Sequence, residues 1–211
     1  MAVHYRTQGL VIKKINRGES DQFLTIFTKD YGKLEILGKA IRKITSKLRG
    51  GAELFYLSEI EFIRGKTHKT LTDAILIDKF SSIRKDLGRL QAAYKICRVL
   101  NDLVVKEEED EKIWQLLNEI LEKLNNTKFK INNLQLAYYY FFWNLVSILG
   151  YQPELRNFSI HGKKINCDIA KILKVIFRKD WQILSRLKLE PIHLKLLKNI
   201  SEWYMIKTHE E

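Results

Sequence analysis

The sequence predicts an α+β protein: a small five-stranded antiparallel β-barrel over residues 1–80, followed by an α-helical bundle over residues 81–211. Three observations carry this. Up to Phe80 the chain consists of short runs rich in β-formers, separated by glycine-bearing turns, with no helical period between them. Beyond Phe80, apolar residues recur at three- and four-residue spacing. Finally, 211 residues with 45% hydrophobic content suffice for one large domain or two small ones with real cores.

The first strand runs from Gln8 to Ile15 and stops at the turn Asn16-Arg17-Gly18-Glu19. Gln22 to Thr28 follows, and Asp30-Tyr31-Gly32-Lys33 turns it, glycine supplying the positive φ that tight hairpins favour. Lys33 to Ala40 is the third strand. Leu54 to Arg64 alternates Ile60 and Phe62 against Glu59 and Glu61, the pattern of a half-buried strand. Gly65-Lys66-Thr67-His68 turns into the fifth, Lys69 to Phe80, where Leu71, Ile75 and Ile77 keep period two. Closure into a barrel removes the edges that five such strands would otherwise expose.

In the second half, Ser81 or Ser82 can cap a helix reaching about Lys106, with Leu87, Leu90, Tyr94, Cys97, Leu100 and Val104 as its apolar stripe. The acidic run Glu107 to Glu111 leads into Ile113 to Leu124, acids suiting the positive end of the helix dipole. Asn132 can cap a helix containing Leu136 to Trp143, apolar nearly all round and therefore a buried central helix. Gly150 stops it and Pro153 blocks its continuation. After a polar stretch from Tyr151 to Lys164, three shorter helices close the chain, about Asp168–Phe177, about Trp181–Leu187, and one opened by Pro191.

Charge points to a polyanionic partner. The chain has 37 Lys+Arg against 25 Asp+Glu, a net charge of +12. Between Gly38 and Gly51 it places Lys39, Arg42, Lys43, Lys47 and Arg49 with no acid among them. Thr45 and Ser46 break up the apolar residues, and the segment reads as a mobile loop. Cationic donors on such a loop can grip a phosphate backbone without reading bases. Lys33, at the preceding turn, can join them. A solvated charge run that only keeps the protein soluble is the plain alternative.

Other chemistries find little support. Gly65-Lys66-Thr67 lacks the earlier glycine of a phosphate-binding loop, since position 60 is Ile60. The histidines show no metal-protease spacing, and no Ser or Cys sits in a nucleophile context. Asp73 and Asp78 could serve a nuclease but read as barrel-edge caps. Among Tyr31, Phe55, Tyr56 and Phe62, Tyr31 and Tyr56 lie nearest loops and are the candidates for stacking on bases. The last helix offers only a loose cationic face to a membrane, with His193, Lys195 and Lys198 against Leu194, Leu197 and Ile200. Two isolated cysteines, no apolar leader segment and no run of ~20 apolar residues suggest a cytoplasmic, non-membrane protein.

The string from Gly18-Glu19-Ser20-Asp21-Gln22-Phe23 to Asp30-Tyr31-Gly32-Lys33 resembles the opening signature of the RecO family of bacterial DNA-repair proteins. Gly38 through Arg42-Lys43 and Ser46-Lys47 to Leu54, then Leu57 to Glu61 and Thr70-Leu71-Thr72, keep the family's order. Gly150-Tyr151-Gln152-Pro153-Glu154-Leu155 resembles its Gly-Tyr-x-Pro-x-Leu. The resemblance implies an N-terminal OB-fold joined to a helical domain. It implies binding of single- and double-stranded DNA and annealing of complementary strands. It also implies work with RecR to load RecA onto DNA coated by single-strand-binding protein, near the nucleoid and without catalysis. Many family members carry two Cys-x-x-Cys pairs after the Gly-Tyr-x-Pro segment. Here that region, about residues 151–167, has only Cys167, with His161 nearby, too few ligands for a structural zinc. No metal or other cofactor is expected, and Cys97 reads as a buried thiol. A helical protein–protein adaptor with the barrel as scaffold is the competing class.

Overall fold

The computed structural model describes residues 3–105, 107–127, 134–155, 159–160 and 162–210. Five strands, β1 (His4–Arg17), β2 (Asp21–Thr28), β3 (Gly32–Gly38), β4 (Leu57–Arg64) and β5 (Lys69–Asp78), close into a barrel in the order β1-β2-β3-β5-β4. Four of the five pairings are antiparallel. The fifth, β3 with β5, is parallel and short, Ile36 beside Lys69 and Leu37 beside Thr70. The all-antiparallel expectation fails there, because β5 returns along β3 after the β4 excursion. β1 is long enough to serve two neighbours, pairing β4 through His4–Leu10 and β2 through Gly9–Arg17.

Two bulges set which side chains face inward. Between Val11 and Lys13 the register slips, so Lys13 and Ile15 pair with outward Thr25 and Phe23, although Val11 fills the barrel. In β5 a slip opposite Glu61/Phe62 reverses the expected alternation. Leu71 and Ala74 are buried, whereas Ile75 and Ile77 are 56% and 49% exposed. A one-residue shift moves every later side chain to the other face.

Seven helices occur among the described residues: α1 (Ser81–Lys85), α2 (Leu87–Leu103), α3 (Glu111–Asn125), α4 (Leu134–Ile148), α5 (Cys167–Phe177), α6 (Trp181–Arg186) and α7 (Pro191–Glu210). The single helix expected up to Lys106 is two. Asp86 sits extended between them, its carboxylate accepting from the Arg89 N–H as the cap of α2. Phe80, in left-handed conformation, precedes α1 in place of a serine cap. The restart turns the buried face of α2 to Ala93, Ile96, Cys97 and Leu100, and leaves Leu87 and Tyr94 exposed. α4 is the central helix, with Tyr140, Phe141, Phe142, Trp143 and Leu145 all fully buried. Asn132, expected as its cap, lies outside the described residues. Within the stretch read as polar, β6 (Ser159–Ile160) and β7 (Lys163–Lys164) form a small hairpin that buries Ile160.

Among the described residues there are two apolar clusters. One fills the barrel: Val11, Leu24, Ile26, Leu34, Ile36, Ile60, Phe62 and Leu71, closed by Ile41 and Ala52. The other unites the helices with the barrel's outer wall, where Leu10, Ile12, Phe27 and Phe55 are buried and Phe27 stacks on Trp114 with centroids 6.3 Å apart. One outer face of the barrel is therefore covered by helices. At ~25 cal/mol per Å² of apolar area, that seam stabilises the contact between the two parts.

Candidate nucleic-acid interface

Gly38 hands the chain to residues 39–51, a series of turns ending in a 3₁₀ turn at Lys47–Gly50. The segment is anchored, contrary to its reading as a mobile loop. Ile41 is buried in the barrel, Leu48 packs against the same cluster, and Gly51 backs closely on the Ala74 carbonyl, where a Cβ would clash. Beyond its parallel pairing β5 runs past β3, and the segment fills the place β3 vacates. Hydrogen bonds tie it to the β1–β2 turn and the start of β2: the Ala40 N–H donates to the Asp21 carboxylate (2.7 Å) and the Arg42 N–H to the Ser20 carbonyl (3.0 Å). The Arg42 guanidinium also donates to the Gly18 carbonyl at 3.1 Å. Lys39, Arg42, Lys43, Lys47 and Arg49 are all exposed and take part in none of the ion pairs among the described residues. Ile44, between them, is 91% exposed.

Lys33 does not join this group. It opens β3 while Lys39 follows its end, about 20 Å away at ~3.3 Å per residue. Its ammonium donates to the Asn101 carbonyl in the last turn of α2 at 2.7 Å, satisfying an otherwise orphaned helix-end acceptor. Burial there lowers its pKa from the ordinary lysine value.

The structure brings to the same end several residues the sequence reading passed over. Inward Leu24 and Ile26 send Phe23, Thr25 and Phe27 outward. Phe27 is covered by Trp114, whereas Phe23 is only half-buried. Across the strands Phe23 pairs with exposed Ile15 on β1 and with Leu37 on β3, giving an apolar row on the outer face. The Arg17 guanidinium lies 5.0 Å above the Phe23 ring, and His68, in the β4–β5 turn, meets it edge-on at 5.1 Å. The outward parity of Phe23 is written in β2; that Phe23 and not Phe27 stays half-exposed depends on where the helices dock. Of the expected stackers, Phe55 and Phe62 are buried and Tyr31 packs edge-on against Tyr5 and Phe62. Tyr56 is half-buried with the Arg84 guanidinium over it at 4.6 Å, an environment like that of Phe23.

Other candidates take structural places. Gly65 to His68 is a plain β4–β5 turn, closed by the Gly65 N–H to the His68 carbonyl. Asp78 accepts from the Phe80 N–H and Asp73 from the Ala74 N–H. Among the described residues no three His, Cys, Asp or Glu side chains gather as metal ligands; Cys167 is exposed at the start of α5, and His161 lies outside those residues. Burial raises the Cys97 thiol pKa, making that group inert. No described helix is long and apolar enough to cross a membrane.

A closed barrel in this strand order, with turns β1–β2 and β4–β5 flanking one outer face and a helical region appended, defines an OB-fold protein of two parts. Two family models match the chain, Recombination protein O N terminal over residues 1–80 and Recombination protein O C terminal over residues 84–170, and the chain belongs to the RecO family. The DNA repair protein RecO of Dehalococcoides mccartyi is 35% identical over 152 residues, covering 72% of this chain and 58% of its own length. That of Acetivibrio thermocellus is 34% identical over 150 residues, 71% of this chain and 59% of the relative. The Halalkalibacterium halodurans protein of the same name is 24% identical, with 95% and 88% covered. The chain thus spans about three fifths of the length of the first two relatives.

Proposed function

We propose that this chain binds single- and double-stranded DNA at the open end of its barrel and anneals complementary strands in recombinational repair. With RecR, it would help load RecA onto DNA coated by single-strand-binding protein. The observation that supports this most is the segment of five exposed cations, in no ion pair among the described residues, which is tied through Ala40 and Arg42 to the β1–β2 turn next to Arg17 and Phe23. OB-folds bind oligonucleotides across this face and its two loops. Cations neutralise phosphates and an open aromatic stacks on a base of any identity, so the grip is tight without being sequence-specific. The work is binding, and it needs no metal. Complementary fluorescent strands should therefore pair faster with the protein present, without ATP and with little preference among mixed sequences. A strict ATP requirement, or strong discrimination between such oligomers, counts against the reading. Elemental analysis of the dialysed protein should find no stoichiometric zinc.

The helical adaptor reading is favoured by one feature. A groove of about 380 Å³ between α2, α4 and α7 is rimmed by Lys95, Arg98 and Lys198, the last two beside Asp102 and Glu202 at 3.7 Å each, and lined by Tyr138 and Tyr139. Its chemistry suits an acidic peptide with apolar side chains, and there we place the acidic tail of single-strand-binding protein. Charge reversal at Lys198 should weaken such a peptide's binding and leave naked DNA binding unchanged.

A further inference from the structure

The outer face that carries Phe23 continues past the barrel. Going back along the β1–β2–β3 ribbon, its cross-strand rows are Ile15–Phe23–Leu37, then Lys13–Thr25–Glu35, then Leu10–Phe27–Lys33. The last row is roofed by the helices. The middle row leads sideways into a groove of about 610 Å³ between β1 and α2. Ile12 and Leu54 are among its apolar lining, and Lys13, Lys14, Tyr94 and Arg98 stand along it.

We propose that this groove binds single-stranded DNA leaving the barrel face, so that α2 supplies the second half of one continuous track; the proposal rests on the barrel reading above. Charge complementarity favours that occupant. Lys13 takes part in no ion pair among the described residues, and Arg98, its side chain 84% exposed, has only a 3.7 Å contact with Asp102. Lys14 is committed to Glu53 at 3.0 Å. Tyr94 is 52% exposed, yet its ring is held edge-on to buried Phe55 with centroids 4.9 Å apart. A fixed ring in one groove with two available cations suits a stacked base and its flanking phosphates. The exposure of Tyr94, at a position whose sequence spacing predicts burial, becomes a binding feature.

The test uses fluorescence anisotropy of the full chain with two oligothymidylates. One is about 8 nucleotides, within the reach of a single OB-fold, and one is about 25, long enough to run on into the groove. Tyr94→Ser combined with Arg98→Glu should lower affinity for the long oligomer about tenfold or more, and for the short one by less than about twofold. Tyr94→Trp should keep wild-type affinity for both. Arg98→Glu alone, at an exposed position, gives a smaller length-dependent loss should the double variant unfold. Photo-crosslinking of an iododeoxyuridine-substituted long oligomer should modify Tyr94. Equal losses on both lengths, or none on either, overturn the groove and leave the barrel reading standing. Failure of the unmodified protein to bind either oligomer overturns the barrel reading and the groove with it.

Discussion

Lys33 and Lys39 stand at the two ends of one strand and live under different physics. Lys33 is held at the seam between barrel and helices, donating to the end of α2 and partly desolvated. Arg84 and Arg89 are used in the same way, on the Leu54 carbonyl and on the Leu124 and Asn126 carbonyls at the end of α3. Lys69 is bound to Glu107 at 2.7 Å. At the other end, Lys39, Arg42, Lys43, Lys47 and Arg49 keep their charges in water while the backbone beneath them is fixed. A cation count treats the two sets alike. Only the second set has charge free to exchange its counterions for those of a polyanion.

The largest expected effect comes from releasing the fixed backbone. Ile41→Ala removes a buried anchor of the basic segment, and such truncations cost roughly 2–5 kcal/mol of stability. Urea unfolding should show that loss. DNA affinity should fall as well, although no charge has changed, because the cations lose their common frame. Unchanged affinity with the stability loss present would mean the cations act without being positioned.

Next comes the charge itself. Arg42→Glu with Lys43→Glu removes two attractions and adds two repulsions. At about 1 kcal/mol for each exposed charge, the loss for single-stranded DNA should exceed about 2 kcal/mol at low salt. If three to five phosphates are neutralised, the wild-type slope of log affinity against log salt should be about −2 to −3.5, and the variant's shallower. The thermal midpoint should barely move, since exposed substitutions cost within about 0.5 kcal/mol. Equal slopes for the two proteins would take the interface off this segment.

Lys33→Met asks the converse question and should do less. It removes one hydrogen bond to a helix-end carbonyl, about 1 kcal/mol, while relieving the desolvation that lowers the pKa of Lys33. The net stability change should be smaller than about 1 kcal/mol, and DNA affinity and salt slope should stay as they were. The wild type should also gain stability as the pH rises from the depressed folded pKa toward 10.5, because the unfolded chain then holds more protons. The variant should lack that gain. A changed salt slope would put Lys33 back in the interface.

The barrel, the helical half and the basic segment could be read from local signals, because strand period, helix period and charge are written in neighbouring residues. What could not be read depends on register and docking. Ile75 and Ile77 were expected inside, but one bulge turned them out. Tyr94 was expected inside, but Asp86 restarted its helix in a new phase. Phe23 and Phe27 share one face of one strand, and only the position of Trp114 decides which stays open. Lys33 looked like its basic neighbours until α2 put a carbonyl beside it.

The smallest effect concerns Glu61, which belongs to neither set of cations. It lies on β4 and accepts from His4 at 2.7 Å, from Arg6 at 2.9 Å and from Thr72 at 3.1 Å. These bonds hold its carboxyl at a pKa of about 2, below the ordinary value of 4.5. A depressed carboxylate contributes stability that is complete above its unfolded pKa. The contribution fades as the pH falls from about 4.5 to about 2, because the unfolded chain takes up the proton first. The cluster is solvated, so screening keeps the contribution small. In thermal melts across that window, the wild type should lead Glu61→Gln slightly at pH 6 and lose the lead by about pH 2. A lead that persists to the acid limit would show that the glutamate acts through packing and not through its charge. DNA affinity near neutral pH should be the same for both, since a charge already neutralised by its neighbours offers a polyanion nothing to repel.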